Sequence, residues 1–292
     1  MPSLKEIRIR IASVQSTQKI TSAMKLVSAA KLRRAQNAIH SMRPYSNKLN
    51  TLLNNLSSDH SNENPLFAQR EPENVALVVI TSNRGLCGAF NSNIIKEAHR
   101  IIGNDFKKQH HNGKLKLVCI GKKAVEQLQK SYELSYANES LLDAPNFEEV
   151  AKIASDLIHG FCLKKIDKIM ILYNRFINPA TQKVTLENFL PVEPVGVSIS
   201  NKTISINYIF EPSQNELVNE LIPKILKIQL YKAILDSIAA EHGARMTSMA
   251  KATDNATDIL RELKLKYNNA RQAVITNELN EIESGAEALK NG

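Results

Sequence analysis

Both ends of this 292-residue chain read as helices too long for a compact domain to bury. From Ser213 to Gly292 one segment keeps apolar residues at alternating three- and four-residue spacing: Leu221, Ile225, Ile228, Leu235, Ala239, Met246, Met249, Ala256, Leu260, Leu263, Tyr267, Ala270 and Val274. Lys232, His242 and Thr253 are polar gaps in that seam. Pro223 is compatible with a helix only near its start, and no proline follows it. Gly243 and Gly285 each cost about 1 kcal/mol against alanine, which a long helix absorbs. At 1.5 Å per residue such a helix spans roughly 100 Å, several times the ~30 Å of a small domain. It needs a partner along its length.

The other end supplies one. Ser3 and Glu6 form the start signal of a capping box, so helix is predicted from Leu4. Leu4, Ile7, Ile11 and Val14 make an apolar seam; Ile20, Met24 and Val27 are read as continuing it after a slip in phase, and Leu32, Ala35, Ile39 and Met42 resume it. Gln15, Ser16, Thr17 and Gln18 interrupt the seam where a leucine zipper would place Leu or Ile. Pro44 is expected to bend or end the helix near Arg43, with Tyr45 to Leu56 open to continue it in a new direction. The expected architecture is a long antiparallel coiled coil of N-terminal (1–58) and C-terminal (212–292) helices, with a separate domain between them at 72–211.

That middle region has a different period. Val75 to Thr81 (VALVVIT) is a continuous β-branched run of the kind found in buried parallel strands. A helix is predicted from Asn91 to Lys108, a strand from Lys114 to Ile120, helices over 122–130 and 147–163, and a strand from Lys168 to Ile177. Strand–helix alternation at this spacing predicts an α/β fold with a small doubly wound, Rossmann-like sheet. Val184 to Leu190 and Thr203 to Phe210 are expected as antiparallel or edge strands.

Composition narrows the function classes. Basic residues exceed acidic ones by nine over the chain. The excess lies entirely in residues 1–58, where Lys5, Arg8, Arg10, Lys19, Lys25, Lys31, Arg33, Arg34, Arg43 and Lys48 face one acid, Glu6. A basic helix suits nucleic acid, anionic lipid or an acidic protein surface. No aromatic residue precedes Tyr45 to stack on a base, and no zinc-finger or RNP pattern is present, which argues against nucleic acid. No run approaches the roughly 18 apolar residues that span a bilayer, and the polar start does not resemble a signal peptide. Cys87, Cys119 and Cys162 fit neither a disulfide framework nor a zinc site, as expected in a reducing cytoplasm.

Candidate chemistry is sparse. Arg84 to Gly88 (RGLCG) follows the first strand, where an α/β fold cradles phosphate, but lacks both the dinucleotide fingerprint and the Walker ending. Cys87 is a conceivable nucleophile, although a small buried thiol is the simpler reading. Gly121 with Lys122 and Lys123 is a faint echo of a phosphate loop. His110 and His111 sit at a turn, and His242 reads as a tolerated polar position on the helix. No catalytic, cofactor-binding or metal-binding residue is predicted, and no cofactor.

Four blocks carry a resemblance. Ile11 to Thr21 (IASVQSTQKIT), continuing through Ala23 to Lys31 (AMKLVSAAK), resembles the N-terminal helix of the gamma subunit family of F-type ATP synthases. Arg84 to Gly88 is similar to that family's loop after the first strand, Ala252 to Ala256 (ATDNA) to its mid-helix segment, and Tyr267 to Glu278 (YNNARQAVITNE), with Glu281, Gly285 and Ala286, to its C-terminal signature. The resemblance implies a non-catalytic central-stalk subunit whose coiled coil stands inside a hexamer of alpha and beta subunits. Its foot would meet the epsilon subunit and the membrane-embedded c ring, and it would couple rotation to the nucleotide sites of other chains. It implies contacts to the hexamer from Met24, Lys25, Lys31, Arg33, Arg34, Arg271, Gln272 and Thr276, and contacts to the c ring and epsilon from Tyr208 and Glu211. It also implies a bacterial protein held peripherally on the cytoplasmic face of the inner membrane, touching the membrane only through partners and no nucleic acid. The polar stretch Gln15 to Gln18, with Lys25, Ser28, Ala29 and Ala30, would face the surrounding hexamer. From residues alone, an α/β enzyme using the 84–88 loop and a coiled-coil scaffold or nucleic-acid-binding protein stay open.

Overall fold

The computed structural model describes residues 3–60, 64–192 and 214–290. The chain divides into two compact units, one of residues 1–28 with 246–292 and one of residues 29–245. Two helices contribute to both units: α1, Leu4–His60, and α6, Gln214–Lys290.

In the first unit the start of α1 is capped as the sequence predicts. Ser3 N–H donates to Glu6 Oε2 at 3.0 Å, and Glu6 N–H donates to Ser3 Oγ at 3.3 Å. The two helix segments are antiparallel neighbours. Arg8 donates to Tyr267 Oη (3.2 Å), Gln18 to Thr257 Oγ1 (2.7 Å), and Thr21 pairs with Thr253 through their hydroxyls (2.8 Å). As the residue number rises on one helix it falls on the other, in a register that holds to within one residue. Ile7, Met249, Ala256, Leu260 and Leu263 are buried along this contact.

The predicted phase slip is absent. Thr21 and Ser28 are buried, whereas Ile20 and Val27 are 60% and 57% exposed. The inward stripe runs Leu4, Ile7, Ile11, Val14, Gln18, Thr21, Met24, Ser28 in steps of three and four. Pattern reading prefers apolar residues for the seam; here small hydroxyls take it because each donates to its own backbone. Thr21 Oγ1 bonds Gln18 O at 3.0 Å and Ser28 Oγ bonds Met24 O at 2.7 Å. Gln18 therefore faces α6, and Ser28 is buried, instead of both facing the exterior.

The second unit is built on a five-stranded sheet ordered β3-β2-β1-β4-β5. Its strands are β1 Val75–Ile80, β2 Leu115–Ile120, β3 Leu134–Asn138, β4 Lys168–Asn178 and β5 Thr181–Leu190. The first four are parallel, and β5 returns antiparallel to β4 as a hairpin. β1 is buried throughout, as its uninterrupted apolar run requires. Helices α2 Phe90–Asn104 and α4 Lys122–Leu128 cover one face, packing Ile94, Ala98, Ile101, Ala124 and Leu128 on Val75, Leu77, Val79, Leu117 and Cys119. Helix α3, Lys107–His111, is a short continuation after α2. Helix α5, Phe147–Cys162, buries the stripe Val150, Ala154, Leu157, Phe161 and is capped by Asn146, which accepts from Glu148 N–H at 3.1 Å.

Two expectations change here. Of the two outcomes expected at Pro44, the helix does not end there: α1 continues through Tyr45 to His60, because a proline on an exposed face costs the helix one hydrogen bond and leaves its packing stripe of Leu32, Ala35, Ile39 and Leu49 intact. The edge strand β3 is an addition; LSYAN has no apolar run to announce it. The expected strand from Thr203 to Phe210 lies outside the described residues.

Candidate partner-binding site

The residues expected to meet partners occupy distinct stations. In the first unit Met24 is half-buried on the inward stripe and Lys25 is exposed. The register that opposes Arg8 to Tyr267 brings the N-terminus of α1 level with about residue 270 of α6. Arg271, Gln272 and Thr276 lie beyond it, all exposed, with Thr276 Oγ1 donating to Gln272 O at 2.9 Å. About 20 helical residues, roughly 30 Å, separate them from the part of α6 opposite Met24. Every described side chain from Arg271 onward is exposed, including Ile275, Leu279, Ile282 and Leu289, which recur at heptad spacing. With exposed Ile9, Ile20, Leu26 and Val27, this gives the unit an apolar exterior that the sequence reading did not expect.

In the second unit Lys31, Arg33 and Arg34 are exposed on α1. The Lys31 charge reaches Glu241 and His242 of α6, opposing the burial that raises the first and adding to the burial that lowers the second. Tyr208 and Glu211 lie outside the described residues.

The turn after β1 answers the question of phosphate chemistry. The strand order reverses between β1 and β4, where an α/β sheet opens its ligand crevice. On the other side of β1, at the turn from β2 into α4, the chain meets the helix amides with its own side chains. Thr81 Oγ1 accepts from Ala124 N–H at 2.8 Å and Asn83 Oδ1 from Lys122 N–H at 3.1 Å, so the first amides of α4 are already satisfied. Gly121, at φ +104°, sits so close that an added Cβ would lie 2.8 Å from Thr81 O.

The Arg84–Gly88 turn has the wrong polarity for an anion. Its carbonyls point inward to a cation: Arg245 donates through Nε and Nη2 to Gly85 O (3.2 and 3.1 Å) and through Nη2 to Arg84 O (3.0 Å). Its Nη1 donates to Glu241 Oε1 at 2.6 Å and to His242 Nδ1 at 3.3 Å. All five guanidinium hydrogens are thereby used. Arginine only donates, so His242 Nδ1 accepts and the ring is neutral with its proton on Nε2. Burial, then the Arg245 and Lys31 charges, hold the His242 pKa down at about 4. Burial raises Glu241 above the usual carboxylate range, against the opposing pull of Arg245.

Cys87 is part of the same packing. It is buried with Phe90, Ala240 and Ala244 against Phe176, and burial pushes its thiol pKa up. Asn91 Nδ2 donates to its sulfur at 3.3 Å. A protonated, enclosed thiol is a packing group, not an activated nucleophile. Close approach also explains Gly243, where an added Cβ would stand 3.1 Å from Pro179 Cα in the β4–β5 turn. Sequence reasoning treated this part of α6 as half of a two-helix seam and missed Glu241 and Arg245. Their i,i+4 pairing inside an alanine- and glycine-rich run was the available signal.

The family described as ATP synthase matches residues 3–289 of the chain. The ATP synthase gamma chain of Flavobacterium johnsoniae is 53% identical over 292 residues, covering 99% of each chain. The chain belongs to the ATP synthase gamma chain family. The gamma chain of Christiangramia forsetii is 50% identical, again over 99% of both chains, and that of Trichlorobacter lovleyi 41% identical over 99% of this chain. Among solved structures the fold is similar to a chain of the Euglena gracilis mitochondrial ATP synthase, OSCP/F1/c-ring, with TM-score 0.66 at 20% identity, covering 98% of this chain and 94% of that one. A chain of the Tetrahymena thermophila central stalk/c-ring structure gives TM-score 0.58 at 23% identity over 80% of this chain. A scaffold or nucleic-acid-binding role finds no support in these comparisons, and nor does an independent α/β enzyme.

Proposed function

We propose that the chain is the central-stalk subunit of a proton-translocating ATP synthase: a rotor shaft, itself without catalytic chemistry, that couples the turning of a membrane c ring to the nucleotide sites of an alpha/beta hexamer. The observation that carries this is the end of α6. An isolated helix of this length gains too little from its own hydrogen bonds to account for Ile275, Leu279, Ile282 and Leu289 standing in water at heptad spacing. An enclosing sleeve supplies the missing environment. Relatives named as ATP synthase gamma chains, and fold neighbours taken from a rotor and a central stalk, support the same reading.

On this reading Met24, Lys25, Lys31, Arg33 and Arg34 meet acidic surfaces of the hexamer along its bore. Arg271, Gln272 and Thr276 meet it farther up, and Tyr208 and Glu211 serve the epsilon subunit and c ring. Exposed ion pairs are worth about 0 to 1 kcal/mol, weak enough to form and break as the shaft turns. The shaft biases each nucleotide site by touching its conformations unequally, since only differential contact shifts an equilibrium. On the same reading the subunit is held at the cytoplasmic face through its partners; no described helix is long and apolar enough to cross a membrane.

Co-expression with alpha and beta subunits tests the proposal. The full chain is expected to co-purify with a nucleotide-binding hexamer, and truncation after Asn277 to weaken coupling of hydrolysis to rotation while assembly persists. Nucleotide binding by the purified chain alone, or failure to capture a hexamer, would overturn it.

A further inference from the structure

The turn Arg84–Leu86 combines three features. Leu86 adopts φ +62°, the left-handed region that a leucine rarely enters, and its side chain is 62% exposed. Arg84 and Gly85 are exposed as well, yet their carbonyls are drawn inward. The group drawing them is the guanidinium of Arg245, 6% exposed, from a segment of α6 distant in sequence. A second hold comes from the strand side, where Ser82 Oγ donates to Arg84 O at 2.7 Å and Asn91 Oδ1 accepts from Ser82 N–H at 3.0 Å.

We infer that Arg245 is a positioning residue: it fixes the Arg84–Leu86 turn by its two carbonyls, so that α6 sets how Arg84 and Leu86 are presented at the surface. The fork geometry matters. One planar group spans both carbonyls, while Glu241 and His242 hold its other edge and fix its orientation. Strained backbone persists only where its surroundings over-determine it, and Arg245 with Ser82 is that over-determination. Resting on the shaft reading, the turn becomes a surface whose shape follows α6, the element proposed to bear the torque.

The three cysteines provide the assay. Cys162 is exposed, Cys87 lies under the turn, and Cys119 is fully buried within β2. Alkylation of the full chain, mapped by peptide mass, separates local loosening from global unfolding. Arg245→Gln is expected to raise the Cys87 rate at least tenfold with Cys119 unchanged. Arg245→Lys, which keeps the charge without the fork, is expected to fall between it and the wild type. Glu241→Gln, which keeps an acceptor, is expected to change the rate less than twofold. An unchanged Cys87 rate in Arg245→Gln, or Cys87 and Cys119 rising in step, overturns the inference. Hexamer capture by the wild-type chain is scored separately: loss of capture with a loosened Cys87 sinks the shaft reading and sustains the clamp, and capture with an unchanged Cys87 does the reverse.

Discussion

Two stretches of the same helix live in opposite environments. Between Ala233 and Glu241 every residue of α6 is buried around the whole circumference; from Arg271 onward every described side chain is exposed. The first is made of Ala233, Ile234, Ile238, Ala239 and Ala240, with Gly243 and Ala244 just beyond, small enough for several elements to approach at once. The second is made of Arg, Gln, Asn and Glu with isolated apolar positions. Continuity of the helix thus conceals two sources of stability: tertiary packing in one stretch, and local propensity awaiting a partner in the other. The largest test of that difference truncates one isoleucine in each. Ile234→Ala, at a fully buried site, is expected to cost about 3 kcal/mol by urea denaturation, and Ile282→Ala, at 69% exposure, under about 0.5 kcal/mol. Equal costs would mean that the exposed end is packed within the chain.

Acid separates the stretches next. His242 titrates near 4 in the folded chain against 6.5 unfolded, so its contribution is full above pH 6.5 and is lost as pH falls toward 4. The loss is on the order of 2 to 3 kcal/mol. Glu241 works the other way, because its raised pKa means that acidification through the carboxylate range favours the folded state. His242→Gln should therefore abolish the decline between pH 6.5 and 4 and leave the slope of Glu241 exposed. Urea midpoints at pH 7, 5.5 and 4.5 read this directly, and a variant that loses stability with acid as steeply as the wild type would refute the assignment.

Glycine sharpens the contrast. Replacing a helical glycine by alanine gains about 1 kcal/mol of propensity where space is free. At Gly285 nothing lies within 4 Å, whereas at Gly243 the new Cβ meets Pro179 backbone at 3.1 and 3.2 Å. Gly285→Ala should raise helicity at 222 nm without moving the global transition. Gly243→Ala should lower stability by up to about 1 kcal/mol, propensity notwithstanding. A stabilised Gly243→Ala chain would show that the β4–β5 turn yields freely.

Much of this is legible in the sequence. The VALVVIT run, the capping box at Ser3 and Glu6, and the seam through Met249, Ala256, Leu260 and Leu263 each announce their element, because a periodic apolar pattern has few alternative uses. The differences have a common cause: in this chain polarity is not exposure. Thr21 and Ser28 point inward because their hydroxyls satisfy themselves on the helix backbone, while Ile20 and Val27 point outward. Arg245 escaped notice for the same reason, since a charge is expected at the surface and only the fold brings two carbonyls to it. β3 was invisible because an edge strand with burial on few residues needs no apolar signature. The partner stations on α1 and at the end of α6 came from block resemblance, not from pattern, since exposed residues leave no mark of what they touch.

The polar seam of the first unit stands between the two extremes and gives the smallest expected effect. Thr21 and Thr253 lie 2.8 Å apart through their hydroxyls, and each hydroxyl is also within reach of a carbonyl of its own helix, Gln18 O at 3.0 Å and Met249 O at 2.8 Å, so one proton serves the pair while the other goes to a carbonyl. Because either hydroxyl can turn its proton to its own carbonyl when the other threonine is removed, neither is stranded. The usual penalty for an orphaned buried group therefore does not arise. A cycle of Thr21→Val, Thr253→Val and the double variant should give a coupling of about 0.5 kcal/mol or less, with the double variant near wild-type stability. Such a seam sets the register of the two helices while adding little to their adhesion, as does the Gln18–Thr257 contact next to it. A coupling above about 1.5 kcal/mol would mean that the hydroxyl pair itself holds the helices together, and the contrast drawn along α6 would no longer extend to its middle.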